Sequence, residues 1–205
     1  MSYSSGVAKI RLLTASLHTD PHLALLQRIA KKDEDALDEL YRRVGPGLLG
    51  YLLGRLQDAH LAEEVLQDVM LVAWRNAPRF RGDCRVLTWL LTIARNRAIN
   101  AYHRQIVPAA RNIPIDEPDL DKIGQASLSV EPARVYHDLN AAFQELPEEQ
   151  RETLELVFYH GLSQEEVAQV LHIAPGTVKS RLHRAKDRLR AWMNAESQAH
   201  EFPPR

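Results

Sequence analysis

Cysteine is almost absent: Cys84 stands alone among 205 residues. One thiol closes no internal disulfide and builds no cysteine zinc site. The N-terminus has no apolar stretch of secretory length before its first charged segment. Both features point to a reducing cytoplasm. Long apolar runs are missing too. The longest stretch free of Asp, Glu, Lys and Arg is Val167–Val178, twelve residues that include His172, Pro175 and Gly176. A membrane span needs about 20 apolar residues, so none is expected. Glycine and proline number only nine and eleven against 45% hydrophobic residues, which excludes collagen-like and low-complexity chains and favours helix. Signatures of catalysis are also lacking. The nine histidines are scattered, with no metal-binding pair on a predicted helix, no glycine-rich phosphate loop and no G-x-S-x-G elbow. No catalytic residue, metal or cofactor is expected.

What is present is an uneven distribution of charge. The net charge is −1, yet residues 71–104 hold seven arginines and one Asp, and residues 175–190 hold six basic side chains and one Asp. The segments 31–70, 105–150 and 151–174 are each net acidic. One basic block reads as a solvated helix face. Two separate blocks on helical patterns point to a polyanion gripped at two places.

The chain is organised as two helical patterns around a break. Residues 1–19 show no period and read as an arm. Asp20-Pro21 reads as a helix start, with Asp capping and Pro in the first turn. Helical spacing then joins Leu23, Leu26 and Ile29, and next Ala36, Leu40 and Val44, before Gly45-Pro46 interrupts it. Gly47, Gly50 and Gly54 suggest close approach of a neighbouring helix. Asp58 starts a helix that Pro78 ends. A long helix follows from about Val86 to Arg104, with Leu87, Leu91, Ala94, Ala98 and Ala101 on one face. Residues 105–133 carry four prolines and five carboxylates without helical period, which reads as a flexible linker. Helices resume at about 133–145, 148–159, 163–171 and 175–194, with residues 195–205 as a tail. No stretch alternates with period two. The fold class is all-α: two small helical domains, 20–104 and 134–194, joined by the linker.

The second domain contains a helix–turn–helix pattern. SQEE at 163–166 is a capping box, in which Ser163 and Glu166 each satisfy a backbone N–H of the other. After a tight turn at 172–174, Pro175 opens a helix with Val178, Leu182, Ala185 and Leu189 on its apolar face. Thr177, Lys179, Ser180, Arg181, His183 and Arg184 lie elsewhere, followed by Lys186, Arg188 and Arg190. Such a helix suits the major groove, with short polar side chains for base edges and Lys or Arg for phosphates.

At this point the sequence resembles a known family. The strings LPEEQRETL (146–154), GLSQEEVA (161–168) and GTVKSRLHRAK (176–186) closely resemble region 4 of the extracytoplasmic-function sigma factors. His172 stands where that family often has Gly, and His tolerates the left-handed conformation such a turn needs. Response regulators carry a similar DNA-binding domain, so the N-terminal half decides. DAHLAEEVLQDVMLVAWR (58–75) resembles region 2.2, while FRGD (80–83), TWL (88–90) and IARNRAINAYHR (93–104) resemble regions 2.3 and 2.4.

The resemblance implies a promoter-specificity subunit of RNA polymerase: not an enzyme, cytoplasmic, and nucleoid-associated when bound to polymerase. Implied partners are core RNA polymerase through its β′ clamp helices and β flap, promoter DNA, and an anti-sigma factor. Glu63, Glu64, Gln67 and Asp68 form the acidic face for the basic clamp helices. For the separated −10 strand, Phe80 and Trp89 are the aromatic candidates, Asn96 and Asn100 can read a base edge, and Arg81, Arg95, Arg97 and Arg104 meet phosphates. Trp89 reads equally well as buried core. Thr177, Lys179, Ser180, Arg181, His183 and Arg184 are expected on the −35 duplex. Cys84 stands where the family often has Ser, in the loop that helps choose the extruded base. The rival readings are a stand-alone helix–turn–helix regulator, which leaves the acidic helix 58–75 unexplained, and a helical enzyme.

Overall fold

The computed structural model of the chain describes residues 20–106, 142, 143 and 145–201, with side chains described as far as Arg104 in the first stretch and Asn194 in the last. The chain divides into two compact units, Met1–Ile115 and Asp116–Arg205. All regular structure among the described residues is helical.

The first unit holds α1 (Leu23–Ile29), α2 (Glu34–Leu56), α3 (Ala59–Asn76), a 3-10 turn (Ala77–Arg79) and α4 (Val86–Ile106). Two of its helices begin as local sequence dictates. The Asp33 side chain accepts the Ala36 N–H at 3.1 Å to start α2, and Asp58 accepts the Leu61 N–H at 3.0 Å to start α3. α1 departs from expectation. Its N-cap residue is His22, with no side-chain cap, and the Asp20 carboxylate reaches a different helix.

A second departure is α2, which runs unbroken through Gly45-Pro46. A mid-helix proline costs about 3 kcal/mol through its missing N–H and ring clash. Pro46 faces solvent, while Leu40, Val44, Leu48, Tyr51 and Leu52 on the opposite side are 0–5% exposed. Burying each such side chain stabilises by about 1.5–3 kcal/mol, so the core outweighs the proline. Two of the glycines of α2 do not admit a close neighbour as expected. Gly47 and Gly50 are exposed, and a Cβ on Gly50 would meet nothing within 4 Å.

α2 packs on α1, α3 and α4, and α3 packs on α4. Ala62, Val65, Leu66, Val69 and Ala73 of α3 are buried, as are Leu90, Leu91, Ala94, Ala98 and Ala101 of α4. The small side chains of Ala94, Ala98 and Ala101 fill the buried side of α4 towards its C-terminus.

The second unit holds α5 (Glu148–Phe158), α6 (Gln164–Leu171) and α7 (Pro175–Glu201). Its first expected helix, at about 133–145, falls mostly outside the described residues. The same holds for the expected arm 1–19 and for the linker 105–133 beyond Ile106. α6 opens on the expected capping box: the Glu166 N–H reaches Ser163 Oγ at 3.2 Å, and the Ser163 N–H reaches Glu166 Oε2 at 2.9 Å. It ends on His172, left-handed at φ 55°, whose N–H returns to Ala168 O. The residue type anticipated for that turn adopts the conformation anticipated for it. α7 extends to Glu201, so the expected tail is helical at its start. The three helices share a core of Leu154, Leu156, Leu162, Val167, Val170, Leu171, Val178, Leu182 and Ala185.

Candidate nucleic-acid and polymerase interfaces

In the first unit, α3, the 80–85 loop and the start of α4 line an open cavity of about 310 Å³, at the lower end of small-ligand pockets. Phe80 and Trp89 form one wall, their ring centroids 5.2 Å apart with planes tilted by 52°. Trp89 is half-buried, so its ring belongs to the cavity wall and not to the sealed core. Arg79, Arg81, Asp83 and Cys84 bring polar and charged groups to the rim. Gly82, at φ 76°, supplies the left-handed bend that lets this short loop fold over the cavity.

The sequence reading missed part of the lining: Val72 and Asn76 from α3 and Ile93 from α4. The signal was there in helical spacing, since 72 and 76 lie one turn apart, as do 89 and 93. Continued by steps of three and four, the Trp89–Ile93 stripe leads to Asn96 and Asn100, both exposed on α4. Thr92, one turn before Asn96, is half-buried, and its hydroxyl donates to the Thr88 carbonyl at 2.9 Å.

The basic residues of α4 differ in their surroundings. Arg104 is exposed, its Nε 3.4 Å from the Asn100 carbonyl oxygen. Arg97 lies 3.8 Å from Asp68 of α3, both side chains near two-fifths exposed. Arg95, expected to meet a phosphate, is only 8% exposed. It lies one residue beyond Ala94 on the buried side, where the arginine-rich composition gave no warning.

On α3, Glu63, Glu64 and Gln67 are exposed and Asp68 partly so. Leu71 is also exposed, at 49%, one turn beyond Gln67 and Asp68. This face therefore offers an apolar side chain at the edge of its carboxylates, which the sequence reading overlooked.

In the second unit, α7 turns Lys179, His183, Arg184, Lys186, Arg188 and Arg190 to solvent, and Thr177 and Ser180 are half-buried. The Ser180 hydroxyl donates to the Thr177 carbonyl at 2.9 Å, leaving its oxygen to accept. His183 Nδ1 lies 2.7 Å from Asp187, so Nε2 is the nitrogen left for a ligand. Arg181 is different from its neighbours. Its guanidinium pairs with Glu149 of α5, and its side chain is 19% exposed. That contact ties α7 to α5 and occupies the guanidinium that the sequence suggested for DNA.

Fold and surfaces together define an all-helical DNA-binding protein: a helix–turn–helix unit with a basic second helix, and a second unit with a basic helix beside an aromatic-walled cavity. Comparison with known proteins carries this further. The family model described as "Sigma-70 region 2" matches residues 40–106, and "Sigma-70, region 4" matches residues 136–189. The "ECF RNA polymerase sigma factor RpoE" of Cereibacter sphaeroides is 36% identical over 177 residues, covering 84% of this chain and 94% of that protein. The "ECF RNA polymerase sigma factor SigK" of Mycolicibacterium vanbaalenii is 32% identical, covering 91% and 92%. Among solved structures, the sigma factor RpoE of Bartonella quintana, in complex with the anti-sigma factor NepR, matches with a TM-score of 0.57 at 26% identity, covering 77% of this chain and 96% of that one. The chain belongs to the extracytoplasmic-function (ECF) sigma factors, and its function is that of a sigma factor in transcription initiation.

Proposed function

We propose that the two units divide the promoter between them by the state of the DNA each one meets. The unit built on α7 takes the −35 element as duplex, with Lys179, Ser180, His183 and Arg184 at base edges and phosphates, and Thr177 beside them. The unit built on α4 takes the −10 element after its strands part. The observation that carries this reading is the cavity walled by Phe80 and Trp89 at the head of the stripe bearing Asn96 and Asn100. A base leaving the stack needs an apolar or aromatic wall and polar groups for its edge. Trp89, Asn96 and Asn100 follow helical spacing along α4, and Phe80 meets Trp89 from the preceding loop. Arg81, Arg97 and Arg104 serve the phosphates around it; Arg95, being buried, is left out.

Glu63, Glu64, Gln67, Asp68 and Leu71 suit the basic clamp helices of the polymerase β′ subunit, with the second unit on the β flap. An anti-sigma factor is a further partner, supported by the complexed relative. The working domains are 20–104 and 134–194, tethered by the acidic, proline-containing stretch 105–133, and the protein acts in the cytoplasm, at the nucleoid when bound to polymerase.

Run-off transcription with purified core polymerase, combined with permanganate footprinting of the start region, tests the reading. Promoter-specific transcripts with reactive thymines near the start site are expected. Specific duplex binding without any opening in the presence of core would refute it in favour of a stand-alone regulator.

A further inference from the structure

Asp20 lies outside the stretch matched to region 2, residues 40–106, and outside every surface described above. Its side chain is nevertheless among the few buried polar ones, at 9% exposure. Both carboxylate oxygens are occupied. Oδ1 accepts the His22 backbone N–H at 2.9 Å and shapes the entry to α1. Oδ2 accepts the Val86 backbone N–H at 2.7 Å, across 66 residues of chain. Val86 is the first residue of α4, so the carboxylate sits on the positive end of a 21-residue helix. The first N–H groups of a helix have no partner within it, and a neighbouring Ser, Thr, Asp or Asn ordinarily supplies one. Arg85, the residue before α4, has no side-chain oxygen to offer. The cap comes from the other end of the unit.

This cap sits where the cavity is built. The loop 80–85 leaves the 3-10 turn at Phe80, whose N–H donates to Ala77 O at 3.2 Å, and it ends at Val86. One turn into α4, the Trp89 N–H donates to Arg85 O at 3.0 Å, so the ring of Trp89 rides on the turn that Asp20 holds. Val86 is fully buried, and without the carboxylate its N–H would lose a charged acceptor in the interior of the unit. That turn would then shift or fray, and with it the wall facing Phe80.

We propose that Asp20 is a positioning residue for strand capture: by capping α4 from the start of the unit, it sets Trp89 against Phe80 in the cavity that receives the extruded base. The inference rests on the strand-capture reading above and adds to it a residue that touches neither DNA nor polymerase. It needs both oxygens at once, one to hold the entry to α1 and one to hold α4.

The test compares Asp20→Ala and Asp20→Asn with Asp33→Ala, which removes the ordinary N-cap of α2 in the same unit; its partners Ala36 and Arg28 do not line the cavity. Core binding and −35 duplex binding are expected within about twofold of wild type for all three. Permanganate reactivity near the start site should fall at least about tenfold in Asp20→Ala, the scale on which a misplaced reacting group loses rate. Asp20→Asn can accept with only one oxygen and should fall between that variant and wild type. Asp33→Ala, matched to Asp20→Ala in thermal midpoint by a small change of temperature, should open the promoter as wild type does. Wild-type opening in Asp20→Asn or Asp20→Ala overturns the proposal, and so does an equal loss in Asp33→Ala. Hydrogen exchange over residues 80–90 in the free protein decides the matter independently of polymerase. Faster exchange in Asp20→Ala but not in Asp33→Ala supports the positioning role, and unchanged exchange overturns it. A wild-type protein that opens no promoter would refute the strand-capture reading while leaving that second measurement to judge Asp20.

Discussion

Arg181 and Arg184 are three residues apart on one basic helix, and they should fail in opposite ways when truncated. Arg184 is exposed, with room to reach a guanine edge or a phosphate. Exposed substitutions away from packed features change stability by within about 0.5 kcal/mol, so Arg184→Ala should melt as wild type does. Lost bidentate base contact costs about 1–3 kcal/mol, roughly a five- to 150-fold fall in −35 affinity with relaxed specificity at one position. Arg181 pairs with Glu149 between α7 and α5, its side chain 19% exposed and that of Glu149 45% exposed. Solvent screens a pair so placed to about 1 kcal/mol at most. In a unit of this size 1 kcal/mol moves the midpoint by about 4–8 °C. Arg181→Ala should therefore lower the melting temperature, lose affinity uniformly across promoter sequences, and keep its specificity. Glu149→Ala should reproduce the melting loss, and the double variant should add less than the two single losses combined. Calorimetric melting of the four proteins and competition binding on −35 duplexes altered one base pair at a time would measure both halves. If Arg181→Ala relaxes specificity as Arg184→Ala does while melting normally, the tie to α5 is not what Arg181 provides.

Three further outcomes follow from the other surfaces. Replacing Glu64 and Asp68 together by Lys should weaken co-purification with core polymerase by like-charge repulsion, a change of several kcal/mol at most, in a protein still helical by circular dichroism. Asn96→Ala should leave closed-complex binding intact and abolish thymine reactivity near the start site, because its contacts exist only with an unpaired base. Acid should destabilise the first unit through His22. Burial holds its pKa below 6.5; Asp20 opposes the shift, and Arg43 and Arg85 reinforce it. The unfolded chain then takes the proton first, so this stability is present above pH 6.5 and lost as pH falls towards the folded pKa. Melting temperatures between pH 7.5 and 5 should decline less steeply in His22→Gln than in wild type.

Features governed by a few consecutive residues were legible in the sequence. Asp58 caps α3, Ser163 and Glu166 form their reciprocal pair, and His172 takes a left-handed turn, because each depends on chemistry within four positions. The apolar stripes of α4 and α7 were legible for the same reason, since burial recurs at helical spacing. Pro46 was misread because its local penalty is real and its compensation is not local. Only the burial of Leu48, Tyr51 and Leu52 beyond it, against other helices, makes the continuous α2 the lower-energy solution.

The site followed the same division. Residue types suited to DNA were visible, and the Phe80–Trp89 pair could be nominated because both aromatics flank one short loop. Which basic side chains were available could not be read. A guanidinium looks the same in a sequence whether it is exposed like Arg104, buried like Arg95, or engaged across the fold as Arg181 is with Glu149. Asp20 shows how the ambiguity arises. It precedes α1 with the sequence signature of a cap, yet the N–H it satisfies besides that of His22 belongs to α4. A carboxylate that the fold buries loses its water altogether, so each of its oxygens must find a donor. The fold therefore draws such a side chain to whichever buried helix end lacks an acceptor, and here that is the end beneath the cavity. Arg181 carries the same ambiguity on α7: its residue type suits DNA, and its guanidinium ties that helix to α5 through Glu149.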